Sequence, residues 1–370
     1  MNNDIKTDLN DDKFSPYRIK INHIDDQIIS LLYERQEIAE EVGKIKKQMG
    51  IGIFDSAREE EVFKRLTSKY NNNLSRQAIR HIFSEIVSAA RAVQQQINVA
   101  YLGPEATFSH QASIYYFGYS TVFRAAETIE DVFRLVEKGV CQQGVIPIEN
   151  SYEGSVNISM DLLYKYHLKI CAEILLRIRH HLISKSNSIS DITKVCSHPM
   201  GIAQCRSWLK SNMPGIATEN VESTSKAAKI AAEEKGTAAI GSRLASQTYS
   251  LNMLAENIED QPDNVTRFLI IGKEDAKKPT GKDKTSILFL LNHRPGALYR
   301  VLKPLNDMGI NMTRIESRPM KIRNWEYLFY ADLEGHEKDE KMNNALNDMS
   351  ENCAILKRLG SYPEGSMIWD

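Results

Sequence analysis

Three adjacent residues, Thr266-Arg267-Phe268, set a hydroxyl, a fixed cation and an aromatic ring side by side. They follow Asp263-Asn264-Val265 and run into Leu269-Ile270-Ile271-Gly272. The apolar run reads as a strand and the residues before it as the loop that feeds it. Loops held by a rigid scaffold are where reacting groups tend to sit. A second set lies near the N-terminus. Ile21, Ile24, Ile28, Leu31, Ile38, Val42 and Ile45 keep a helical spacing, and Arg35 occupies the same seam. Lys46, eleven residues on, is only about 20° away at 100° per residue. Two cations on an apolar seam either snorkel to water or meet anions.

The elements that position these groups can be read around them. The seam predicts a helix of about 33 residues, ~50 Å long, which needs the next two helices and a second subunit to cover it. Asp55 or Ser56 caps the second helix, with Ser56-x-x-Glu59 fitting a capping box, and Arg58 points off its first turn. The third helix starts near Ser75 and runs to Ile97, carrying Gln94 on the face of Phe83. Arg18, Arg35, Lys46, Arg58, Glu59 and Gln94 thus surround one interior. Fixed donors without a nucleophile suit a dicarboxylate substrate and catalysis by shape and electrostatics.

From 98 to 272 strand-like and helix-like runs alternate, with polar corners where strands end, the place where open α/β sheets bind ligands. These corners hold Thr107 and Ser109, Asn150 and Ser151, Ser197 and Gln204, and Glu222, Ser223 and Thr224. Each Ser or Thr taken singly is an ordinary helix cap. No Gly-rich phosphate loop occurs, so no nucleotide or other cofactor is expected. A charged stretch from Lys273 to Lys284 with Pro279 and Gly281 reads as a linker. Beyond it the order is strand Thr285–Leu291, helix Gly296–Met308, strands Asn311–Pro319 and Trp325–Glu334, helix Lys338–Ser350 and strand Ala354–Tyr362, a ferredoxin-like β-α-β-β-α-β unit.

The chain has 370 residues, 47 Lys and Arg against 48 Asp and Glu, and a net charge of −1. A balanced charge argues against nucleic acid as partner. The polar, acid-rich start resembles no signal peptide, no run approaches a membrane span, and the expected place is the cytoplasm. The five cysteines form no CxxC pair, so free thiols are expected and no metal. His180-His181 are not at ligand spacing.

Three motif sets then carry resemblances. Arg18, Arg35, Val42-Gly43-Lys44-Ile45-Lys46, Asp55-x-x-Arg58-Glu59 and Gln94 resemble the all-helical chorismate mutase family, which rearranges chorismate to prephenate. The resemblance implies that Arg35 and Arg58 hold substrate carboxylates and that Arg18 reaches in from a partner subunit. Lys46 and Gln94 then donate to the ether oxygen, and Asp55 and Glu59 hold the ring hydroxyl. Ala90 departs from the family, which often has Ser there, so a carboxylate contact is missing or replaced. Gly103-Pro104-Glu105-x-Thr107-Phe108-Ser109, Pro147-Ile148-Glu149-Asn150-Ser151, Ser197-His198-Pro199, Glu222-Ser223-Thr224 and Thr266-Arg267-Phe268 resemble prephenate dehydratase. That resemblance implies two α/β lobes with a cleft, and Thr266 as the acid assisting loss of the ring hydroxyl. Arg267 becomes an anion partner or positioner, with Asn150, Ser151, Ser223 and Thr224 lining the cleft. Met200 departs from the Gln usual after Ser-His-Pro, whereas Gln204 fits. Gly296-Ala297-Leu298 and Glu316-Ser317-Arg318-Pro319 match the phenylalanine-sensing ACT domain of that family.

The resulting expectation is multidomain: an all-α mutase domain over 1–97, a two-lobed α/β dehydratase domain over 98–273, a linker over 274–284 and an α+β ferredoxin-like ACT domain over 285–370. It is a homodimer or larger homo-oligomer acting on chorismate and prephenate, with phenylalanine as effector. Two rivals stand beside it. One is a non-enzymatic regulatory protein whose helices only dimerise; the other is a dehydratase with a decayed mutase.

Overall fold

The computed structural model describes residues 5–69, 74–274, 276, 278–292, 294–319 and 327–368, with side chains from Lys13 onward, Lys69 excepted. Three helices come first: α1 (Ile5–Gln48), α2 (Ser56–Lys69) and α3 (Arg76–Gln94). At 44 residues α1 is about 66 Å long, longer than its apolar seam requires. Asp55 caps α2 by accepting from the Arg58 N–H at 3.0 Å. The Ser56 hydroxyl donates instead to the Cys171 carbonyl at 2.7 Å, tying α2 to the central region. Ser75 caps α3, which ends at Gln94 rather than Ile97.

Near its C-terminus α1 crosses α3 so closely that a Cβ on Gly43 would come within 2.8 Å of Gln94. The seam itself is not covered as expected. Ile21, Ile24, Ile28, Leu31, Ile38 and Ile45 are each about half exposed or more (49–64 %), because α3 packs along a neighbouring side of α1, where Leu32, Arg35, Gln36 and Ala39 are half-buried and Gly43 is buried.

The central region has two lobes. The first holds a mixed sheet in the order Met367–Ile368, Lys169–Arg177, Val265–Gly272, Gln143–Asn150, Asn98–Leu102, Val122–Ala126. The second holds five strands in the order Asn252–Ala255, His181–Ser184, Thr237–Gly241, Lys194–Ser197, Ala217–Asn220. The chain passes between lobes twice, at Ile178–His180 and again between Ala255 and Val265. Helices open from side-chain caps at Thr107, His198, Ser223 and Ser242.

The C-terminal unit orders its strands Met312–Pro319, Tyr327–Glu334, Asp283–Leu291, Cys353–Pro363, all antiparallel. Helices Ala297–Asp307 and Glu340–Asn352 pack on one sheet face through Val301, Leu305, Leu346 and Met349. Its other face shares a core with the first lobe: Leu288, Leu328, Tyr330, Leu359 and Tyr362 cluster with Ile146, Met160 and Leu163. The stretch read as a linker is correspondingly built in. Ala276 N–H donates to the Ser361 carbonyl at 3.3 Å, Thr280 N–H to Asp283 at 2.7 Å, and the strand already begins at Asp283. The C-terminal strand Met367–Ile368 returns to the first lobe, pairing in parallel with Leu175 and Leu176.

Candidate active sites

Thr266 and Asn150 are direct partners in the antiparallel register of Val265–Gly272 and Gln143–Asn150, so their side chains stand together on one sheet face. The Asn150 amide is oriented by the backbone: the N–H groups of Tyr152 and Glu153 donate to its Oδ1 at 3.0 and 3.1 Å. Its Nδ2 therefore donates, to Thr266 Oγ1 at 2.9 Å and to Asn264 Oδ1 at 2.7 Å. Asn264 must then turn its own Nδ2 to Gln204 Oε1, at 3.3 Å. The same Gln204 oxygen lies 2.8 Å from His180 Nε2. Because that oxygen only accepts, Nε2 carries the hydrogen. Each orientation follows from the one before, starting at two peptide N–H groups. The chain of amides joins the first lobe (Thr266, Asn150), the second (Gln204) and a crossing between them (His180).

His180 is buried, and burial holds its imidazole below the usual histidine value, opposed by the Gln204 hydrogen bond and Glu259. Its Nδ1 is buried without a hydrogen-bond partner. The crossing is fixed by Arg179 on Glu259 at 2.5 Å and by His180 N–H on the same carboxylate at 2.9 Å. Sequence reasoning missed Asn264 and His180. The first stood in the quoted stretch without a role. The second is read there only against metal-ligand spacing.

The other residues expected here fall into separate groups. The Ser151 hydroxyl accepts from Val265 N–H at 3.0 Å and reaches Asn264 at 3.4 Å. Thr107 caps Phe108–Phe117 and donates to the Leu102 and Pro104 carbonyls at 3.1 and 3.0 Å. Ser223 caps Thr224–Glu233, with Glu222 exposed and Thr224 half-buried at that helix start. Two of the expected hydroxyls are buried. Ser197 is fully buried and donates to the Ile240 carbonyl at 2.9 Å, and Ser109 is buried inside its helix. Phe268 lies in the sheet core. Met200 follows the cap, its N–H on His198 Nδ1 at 3.3 Å.

Arg267 corrects the expectation of a cleft residue. Strand alternation turns it to the face opposite Thr266, where it is buried against the C-terminal unit. It donates to Glu173 at 2.7 Å, Asp332 at 2.5 Å and the Tyr362 hydroxyl at 3.1 Å. Lys284 and the Gly365 N–H also meet Glu173, each at 2.8 Å.

Around the helices, Arg35 is half-buried with Nη1 3.4 Å from the Ile86 carbonyl, and burial lowers its guanidinium from the usual value. Lys46 Nζ donates to the Ile53 carbonyl at 3.0 Å. Gln94 Nε2 folds back to the Ala90 carbonyl at 3.0 Å, leaving Oε1 buried without a partner. Glu59 meets Arg91 at 2.6 Å. Burial lifts the Glu59 carboxyl, Arg91 opposes, Asp55 adds to the rise and Lys46 opposes weakly. Arg58 departs from the expected interior position: it is exposed and pairs with Glu61 at 2.7 Å. Arg18 is exposed on α1.

In the C-terminal unit Gly296 adopts φ +74°, a left-handed conformation that glycine takes without strain, and begins helix Ala297–Asp307. On strand Met312–Pro319, Ser317 and Pro319 are exposed, while Glu316 and Arg318 share the other face. Arg318 was expected to meet a ligand; it donates to Asp161 of the first lobe at 2.9 Å. Arg314 reaches Ser155 at 2.7 Å and Glu149 at 3.4 Å. Among the described residues no three His, Cys, Asp or Glu side chains converge as a metal site, and no helix is long and apolar enough to cross a membrane.

Comparison with known proteins gives three family matches in sequence order: chorismate mutase type II over residues 17–95, prephenate dehydratase over 99–276 and an ACT domain over 285–351. The bifunctional chorismate mutase/prephenate dehydratase of Aquifex aeolicus is 46% identical, covering 94% of this chain and 97% of its own. The Escherichia coli enzyme of that name is 32% identical, covering 95% and 96%. Among solved structures, the prephenate dehydratase of Arthrobacter aurescens in complex with L-Phe aligns at TM-score 0.67 and 32% identity, over 72% of this chain and 90% of that one. Near full-length coverage at these identities identifies the chain as a member of the bifunctional chorismate mutase/prephenate dehydratase family.

Proposed function

We infer that the chain rearranges chorismate to prephenate on its helices, then removes water and CO₂ from prephenate in the two-lobed region to give phenylpyruvate, under feedback inhibition by phenylalanine. The second step needs a hydrogen-bond donor aimed at the departing ring hydroxyl. The observation that carries the assignment to Thr266 is the Asn150 Nδ2 donation to its oxygen at 2.9 Å. With one lone pair of Oγ1 occupied by a donor, the Thr266 hydrogen is left to point into the cleft. A threonine hydroxyl is a weak acid, so the gain comes from aim and from the aromatic ring formed as CO₂ leaves.

For the first step, Arg35 holds a carboxylate, while Lys46 and Gln94 donate to the ether oxygen as its negative charge grows. Both donors now rest on backbone carbonyls, weak partners that a substrate oxygen replaces. Glu59 accepts the ring hydroxyl. A second copy of the chain covers the apolar face of α1 and brings in its own Arg18. Phenylalanine binds at the Gly296 corner of the ACT unit. Five free cysteines suit the reducing cytoplasm.

The regulatory-protein rival fits less well. A half-buried Arg35 facing one carbonyl weakens a mere dimer seam, where an apolar residue serves better. Arg35→Ala tests the first step: chorismate consumption should fall on the order of 10²-fold or more, while supplied prephenate still yields phenylpyruvate. Near-normal chorismate turnover by the folded variant would remove this site.

A further inference from the structure

Arg91, one residue past the Ala90 departure, is 5 % exposed and divides its guanidinium between two domains. Nη1 donates to Glu59 Oε1 at 2.6 Å, and Nη2 donates to the Phe117 carbonyl at 2.6 Å. Phe117 is the last residue of the dehydratase helix Phe108–Phe117, where carbonyls without a partner inside the helix and the negative end of the helix dipole favour a cation; its carbonyl also accepts from Thr121 Oγ1 at 3.0 Å. The contact is part of a tight dock. Ser84 donates to the Tyr115 carbonyl at 3.3 Å, Tyr119 N–H donates to Glu85 at 3.1 Å, and a Cβ on Gly118 would come within 2.5 Å of Ser88.

Four groups bear on the Glu59 charge: Arg91 from α3, Lys46 from α1, Asp55 at the start of α2 and Tyr116 from the dehydratase helix. Of the two cations Arg91 acts more strongly and makes the hydrogen bond. It pins one carboxylate oxygen and leaves the other for a substrate hydroxyl.

We propose that Arg91 is a positioning residue of the mutase reaction, orienting Glu59 through an anchor on Phe117, so that the dehydratase domain is a structural part of the mutase site. The proposal rests on the reading of Glu59 as acceptor of the ring hydroxyl. Without Arg91 the carboxylate stays buried with its main counter-charge gone and takes up a proton at higher pH.

The experiment uses full-length Glu59→Gln, Arg91→Ala and Arg91→Lys, with prephenate turnover measured on each sample as a check of the fold. Glu59→Gln should raise KM for chorismate at least tenfold. Arg91→Ala should raise KM by about tenfold, the worth of one charge-assisted contact, and move the acid limb of the mutase pH profile upward by about one unit. Arg91→Lys keeps the charge but cannot span both acceptors, so KM rises with the limb in place.

Arg91→Ala that matches the parent in KM and pH profile, with Glu59→Gln impaired, would overturn the positioning role alone. A normal Glu59→Gln would remove the Glu59 reading and the proposal with it. Should Arg91→Ala not fold, Arg91→Lys decides: a parental KM for chorismate overturns the proposal.

Discussion

At the scale of residues, the direction of one hydrogen bond decides what Thr266 can do. Asn150 donates to it only because two peptide N–H groups occupy the amide oxygen. Asn150→Asp keeps the size but offers Thr266 an acceptor, so the threonine hydrogen turns away from the substrate. Phenylpyruvate formation should drop on the order of 10²-fold or more, further than in Asn150→Ala, which leaves the hydroxyl unpartnered. Equal losses in the two variants, measured as kcat on prephenate, would contradict the directional account. Thr266, Asn150 and Gln204 were legible in the sequence because short motifs carry them. His180 was not, since its partner Gln204 lies 24 positions on and only the fold brings the two together. Arg91 was hidden for the same reason: its anchors sit 32 and 26 positions away, on other helices.

At the scale of elements, strand Val265–Gly272 carries the proposed acid on one face and attachment on the other. Thr266 accepts from Asn150 on one face, and Arg267 on the other holds two buried carboxylates, Glu173 and Asp332. Burial pushes the Asp332 carboxyl up, but Arg267, Ser286 and Tyr330 outweigh it and hold it below the usual carboxylate range. A depressed carboxylate stabilises the fold above its unfolded value, and this is lost as pH falls through the folded one. The node should therefore fail only under acid conditions, below about pH 4. Arg267→Met leaves the carboxylates short of a charge and should cost roughly 3–5 kcal/mol, read from denaturant midpoints; a parental midpoint would contradict the node. The sequence showed the Thr-Arg-Phe triplet but not the side Arg267 takes, because its partners lie in strands read as separate units. The β-α-β-β-α-β succession of the C-terminal unit was legible in the order of its segments. The share of core between that unit and the first lobe was not, since both faces of its central strand read simply as apolar.

At the scale of the whole molecule, the exposed apolar face of α1 and the shared core beneath the ACT unit give the two ends different tasks. The first calls for a second copy; sedimentation of the full chain should show at least a dimer, and a stable monomer at micromolar concentration would contradict that. The second ties the ACT sheet to the first lobe, to which Arg314 and Arg318 also run, meeting Ser155, Glu149 and Asp161. A ligand shifts an equilibrium only by its differential affinity for two states. Millimolar phenylalanine should therefore give binding heat and lower phenylpyruvate formation together; heat without inhibition would break the link. The central claim is that one chain performs two consecutive steps at two separable sites. The most direct measurement gives chorismate to the parent, Thr266→Ala and Thr266→Ser proteins and follows prephenate and phenylpyruvate separately, with circular dichroism to verify the fold. Loss of the hydroxyl should abolish phenylpyruvate while prephenate accumulates at the parent rate. The Ser variant, freer in its rotamer without β-branching, should retain part of the second step. Phenylpyruvate at near-parent rate from Thr266→Ala, or loss of prephenate formation in the same folded protein, would contradict the account.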